Sequence, residues 1–172
     1  EAAAVIASLA LTAGKLPHAA EVQTELATAG VPLVWFDDLP VAHPSFADIQ
    51  LAAIRGLYPL APDHLHASPD APATRGEAAH ALAALFGMTQ AEMKASAIDV
   101  PGTHPHAGAI RLAVAQGWMA TDHRNWFHPD LPFYWADWRA RRLPRKLADI
   151  KIVRSGPLPR RELARRVMNG RP

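Results

Sequence analysis

One stretch of this chain is written twice. With Asp38 set over Asp99, an offset of 61, Pro40 falls on Pro101, His43 on His104 and Pro44 on Pro105. Ile49 then falls on Ile110, Leu51 on Leu112, Ala52 on Ala113 and Gly56 on Gly117. That is eight identities in nineteen positions without a gap, and only one of them is an alanine, so compositional bias does not produce it. One residue is then lost, and at an offset of 60 Pro69-Asp70 matches Pro129-Asp130 and Pro72 matches Pro132. Such self-similarity marks a repeat architecture, in which units too small to bury a core alone stack on their neighbours.

Each unit reads as an Asp-x-Pro turn, a short helix ending at Gly, a long loop, a Pro-Asp turn and a second helix. In the first unit Ala78, Ala81, Leu82, Leu85 and Phe86 follow helical spacing, and Thr74 with Glu77 forms a capping box at the start. The second unit has Tyr134-Trp135-Ala136-Asp137 there, with Trp138 beyond. A third, partial echo is Pro157 to Ala164, which resembles Pro72 to Ala79. A pseudo-threefold or stacked cluster is the expected assembly.

Composition supplies the fold class. Alanine accounts for 35 of 172 residues, while 16 prolines and 10 glycines cut the chain into short pieces. The chain is therefore expected to be mainly α, with short helices and long loops. Ala2 to Ala13 reads as a helix with Gly14 after it, and Pro17 to Gly30 as a second. Val31 to Phe36, with Pro32 inside, reads as an edge strand or a connector. At 12 residues, the apolar Ala2–Ala13 stretch falls short of the roughly 20 that a membrane span needs. It also lacks the basic start of a signal peptide. Four parts are expected: 1–35 a helical hairpin and connector, 36–95 and 96–145 the two repeats, and 146–172 a basic partial third.

The order of these motifs resembles the S-layer homology (SLH) module. Phe36-Asp37-Asp38, Ile49 to Gly56, Pro69-Asp70 and Thr74-Arg75-Gly76-Glu77 follow that family's sequence of features, as do Asp99, Ile110 to Gly117 and Phe127-His128-Pro129-Asp130. The likeness covers about residues 36–142, with a half unit at 157–168. Pro44 and Pro105 stand where the family usually has Trp, and the second unit lacks the Thr-Arg-x-Glu motif. The resemblance implies tandem helix-loop-helix repeats and attachment to cell-wall polysaccharide through an acidic residue, an aromatic and the motif arginine. Asp38 and Arg75 match those roles.

Residues 1–38 resemble the C-terminal end of a bacterial FAD-dependent oxidoreductase. The match runs through Glu1 to Leu11, Gly14-Lys15-Leu16-Pro17 and Leu26 to Leu33, with Ala4 in place of a family glycine. The start at Glu1 rather than Met fits a piece of a longer protein. On this resemblance FAD belongs to a parent protein, and no cofactor is expected in this chain.

The candidate ligand-binding residues are Asp38, Arg75, Trp118, Trp126 and Trp135. The tryptophans come from a cluster holding four of the chain's five within 21 residues, whose faces suit sugar rings, although most of the cluster is expected in the core. The capping box accounts for Thr74 and Glu77 and leaves Arg75 over for a carboxylate or saccharide substituent. Nine histidines occur; His64 and His66, His104 and His106, and His123 and His128 form close pairs in loops, and none has His-Glu-x-x-His spacing. They are expected to be structural, with His43-Pro44 and His104-Pro105 in turn or capping roles, and no metal site is assigned. No cysteine, Gly-x-Ser-x-Gly or distinctive carboxylate pair offers a catalytic site, and none is assigned.

Charge is segregated. Residues 1–138 carry a net −8 and residues 139–172 a net +10. The basic end lacks a nucleic-acid motif and is expected to dock on the acidic remainder of this chain or its parent; nucleic acid is not favoured as a partner. The expected function is a non-catalytic accessory region of a larger bacterial oxidoreductase, serving assembly, docking or envelope association. Its partners would be a parent domain, a partner subunit or cell-wall polysaccharide. The alternatives are a polysaccharide-binding anchor without an enzyme and a region completing the parent's substrate pocket. The implied location is the bacterial envelope or outside the cell, with the cytoplasm left open.

Overall fold

A computed structural model of the chain describes residues 2–14, 16–59, 65–87, 97–138 and 156–169. The protein is mainly α-helical. Among the described residues the helices are α1 (Ala2–Ala13), α2 (Ala19–Thr28), α3 (Phe46–Ile54), α4 (Arg75–Leu85), α5 (Ala107–Ala115) and α6 (Arg160–Asn169), with a 3-10 turn at Trp135–Asp137. Among the described residues no strand forms, so Val31 to Phe36 is a connector. The buried Gln50 side chain holds that connector: its Oε1 accepts the Leu33 and Val34 N–H groups at 2.7 and 2.6 Å, and its Nε2 donates to Val34 O. A buried amide satisfied in this way supplies the backbone partners a strand would otherwise provide.

Helices α3 and α5 begin and end alike. Their N-cap hydroxyl or imidazole makes no capping bond. Instead the His two residues earlier caps the turn: His43 Nδ1 accepts from Ser45 N, and His104 Nδ1 accepts from His106 N, both at 3.1 Å. At the other end Gly56 and Gly117 adopt φ of 66° and 68°, and the chain folds back so that Ala52 O and Ala113 O each accept two N–H groups. That left-handed conformation costs a Cβ-bearing residue steric energy, which is why both helices stop at glycine.

The helices pack in a chain of contacts. Helix α1 lies on α2, α2 on α3, α3 on α6, and α4 on both α5 and α6. Three extended segments meet at the centre. Ala73 N donates to Leu158 O at 2.8 Å, Leu158 N to Phe133 O at 2.9 Å, and Phe133 N to Ala73 O at 2.7 Å. This ring of backbone hydrogen bonds closes on itself, with all three side chains buried. Each segment alone has unpaired backbone groups, and only the meeting of three satisfies them. The core around the ring includes Ile49, Leu57, Leu82, Ile110, Met119, Phe127, Leu163 and Val167.

The second helix expected in the second unit is, among the described residues, a single 3-10 turn at Trp135–Asp137. Much of the basic end, 139–155, lies outside the described residues. Its described part, α6, sits against the acidic part, where Arg160 pairs with Glu77 and Arg161 with Asp70.

Candidate functional site

A groove of about 540 Å³ runs along the join between α4 and the loop that follows α5. The loop is built around one carboxylate. Asp122 Oδ1 accepts the Arg124 and Trp126 N–H groups at 2.8 and 2.9 Å, and its Oδ2 lies 3.2 Å from His128 Nε2. The Trp126 N–H, the His128 ring and the Arg124 N–H together hold the Asp122 carboxyl down at about 2. Asn125 and His128 take left-handed φ of 62° and 57°, turning the loop tightly enough to bring Trp126 beside His128, with ring centroids 5.7 Å apart.

Arg75 forms the inner wall. Its Nε donates to Phe127 O and its Nη2 to Ala120 O, each at 2.8 Å, while Nη1 pairs with Asp137 at 2.6 Å. The guanidinium also lies over the Phe127 ring, 4.8 Å from its centroid. All three guanidinium nitrogens therefore have partners within the protein. Tyr134 and Leu131 complete the rim.

The five candidate residues part company. Arg75 and Trp126 share the groove, where Trp126 is 44% exposed. Asp38 is elsewhere and serves the backbone, accepting the Ala67 and Ser68 N–H groups at 2.7 Å. Trp118 is buried against Phe86, with centroids 4.8 Å apart. Trp135 is buried against Trp138 and carries the Arg166 guanidinium over its ring. It borders a different cavity of about 470 Å³, along with Arg161, Glu162 and Arg165.

Sequence reasoning did not single out Asp122, Tyr134 or Asp137 as site residues. Asp122 has no distinctive neighbour in sequence, since its function is to accept backbone groups of its own loop. Tyr134 was visible only as one aromatic among many; it is 42% exposed.

Among the described residues no group of three or more His, Asp or Glu side chains is placed to hold a metal ion. None of their helices is long and apolar enough to cross a membrane. In comparisons with known proteins, no family model, curated protein or solved structure matches the chain.

Proposed function

We propose that this protein is a non-catalytic interaction module that holds a segment of envelope polysaccharide in the groove between its two units. One observation carries the reading: Trp126 and Tyr134, 44% and 42% exposed, both line a groove that also offers Thr121, Asp122 and His128. Binding sites are typically concave, with apolar and aromatic walls and a few polar groups that fix orientation. Exposed aromatic faces offer a sugar ring its apolar side, and the flanking carboxylate and imidazole can meet its hydroxyls. Arg75 shapes the wall in this reading, because each of its three guanidinium nitrogens already has a partner within the protein. The resemblance to S-layer homology modules points to the same class of ligand.

Co-sedimentation with purified cell-wall polysaccharide tests the proposal. Wild type is expected to bind, and Trp126→Ala to bind about tenfold more weakly, equivalent to about 1.4 kcal/mol. Trp126 is a surface residue, so the variant should fold; absence of binding by the folded wild type removes the reading.

Helix α1 favours a second role alongside this one. It has no charged residue between Ala2 and Ala13, and its Ile6 and Leu11 are exposed, so it suits contact with another body of a larger flavoprotein. Sequence encoded upstream of Glu1 decides: a strand followed by Gly-x-Gly-x-x-Gly supports it, and a parent gene without one removes it.

A further inference from the structure

Three imidazoles meet where α4 packs on α5. His80 projects from α4, His106 is the N-cap of α5, and His104 lies two residues before it. The His106 ring centroid is 5.3 Å from that of His80 and 5.7 Å from that of His104. The rings rest directly on the first turn of α4: a Cβ at Gly76 would lie 3.1 Å from His106 Cδ2 and 3.5 Å from His104 Cε1. His106 Nδ1 is buried with no hydrogen-bond partner.

The polar surroundings favour a neutral ring. The groups acting on His106 are His80 from α4, His104 from its own loop, Arg160 from α6 and Asp130 from the loop before the 3-10 turn. Only Asp130 is acidic, and it is exposed and 3.7 Å from His104 Nε2. His80 Nε2 is 3.0 Å from Gly56 O, so that ring is held in place beside His106.

We infer that this cluster is an acid-sensitive latch: protonation of His106 puts a cation among His80, His104 and Arg160 and loosens α5 from α4. Burial, then His80 and His104, lower the His106 pKa from 6.5 to about 4. Between those values the unfolded chain binds the proton and the folded one does not. The contribution is therefore fully present above pH 6.5 and is lost as pH falls towards 4. Gly76 N also donates to Pro129 O at 2.8 Å across the same join, next to Arg75 of the groove. Acid would thus open the groove too, a consequence that rests on the proposed binding role, whereas the loosening of the helices does not.

Two measurements on the full chain test the latch. In an NMR titration the His106 ring should titrate well below 6.5, and His80→Asn should raise its midpoint. In thermal melts, wild type should lose a few °C more than His106→Phe between pH 7.5 and pH 5. Hydrogen exchange, corrected for intrinsic rate, should rise in α4 and α5 over that range and not in α1. A His106 midpoint near 6.5 overturns the inference, as does an equal pH slope in a folded His106→Phe. If that variant does not fold, the wild-type titration decides alone. Polysaccharide binding is not a readout in any of these, so failure of the proposed function leaves the test intact.

Discussion

Arg75 and Asp137 face each other at 2.6 Å between the start of α4 and the 3-10 turn, with side chains only 13% and 24% exposed. Asp137 also accepts the Tyr134 N–H at 2.8 Å, so one carboxylate fixes both the arginine and the start of the 3-10 turn. Replacing Arg75 with Ala leaves Asp137 without its cation and strands the Phe127 and Ala120 carbonyls. A loss of about 3 kcal/mol is expected in urea unfolding. Arg75→Lys should recover only part of it, because an ammonium cannot reproduce the fork that reaches three acceptors. A change below about 0.5 kcal/mol for Arg75→Ala would show that these contacts are not made in solution.

Glu77 has two functions. It closes the capping box, accepting the Thr74 N–H at 2.9 Å, and it binds the guanidinium of Arg160, whose Nε donates at 3.1 Å. The pair is largely buried, so a double-mutant cycle of Glu77→Ala and Arg160→Ala should give a coupling of about 2 kcal/mol. The half-exposed Arg165–Glu162 pair, three residues apart on α6, should give about 0.3 kcal/mol in the same measurement. Equal couplings would contradict the burial of the first pair.

Gly76 is expected to resist replacement by the best helix former. In an open helix Gly→Ala gains up to about 1 kcal/mol. Here the new Cβ would meet Pro129 O at 3.3 Å and His106 at 3.1 Å, and that carbonyl is fixed by accepting the Gly76 N–H. Gly76→Ala should therefore lower the melting temperature. A higher value would mean that the loop can give way.

Asp122 should stay ionised far into acid. Its carboxyl is lowered from 3.8 to about 2, first by the Trp126 N–H. A depressed carboxylate stabilises the fold above its unfolded pKa, and that contribution disappears as pH falls from 3.8 to 2. The 122–128 loop should therefore keep its shape at pH 4 and open below it. Carboxyl-carbon NMR of Asp122 reads this directly; a midpoint at 3.8 would show that the loop does not hold it.

Asp38→Ala and Asp99→Ala should have similar consequences. Asp38 accepts two adjacent N–H groups, of Ala67 and Ser68, and Asp99 accepts those of Phe127 and His128 at 2.7 and 2.5 Å. Each loss should cost about 2 kcal/mol by chemical denaturation. A large cost at one site with none at the other would break the correspondence.

Local features were legible in the residues alone. The starts and ends of α3 and α5, the glycine stops, the Thr74–Glu77 box and the turn role of His43 and His104 all depend on residues within about six positions, and their side chains carry the signal. The mainly helical class followed from the same local preferences summed along the chain. The tertiary structure decided everything that joins distant residues. Arg75 looked free because its acceptors, Phe127 O and Ala120 O, are 52 and 45 residues away and are backbone atoms that any residue type supplies. Trp118, Trp126 and Trp135 were indistinguishable as sequence, and only packing buried two and exposed the third. The ring of Ala73, Phe133 and Leu158 had no residue signature, since backbone N–H and C=O groups form it. Its three members share only the need to be buried and paired, a need that no one segment can meet alone.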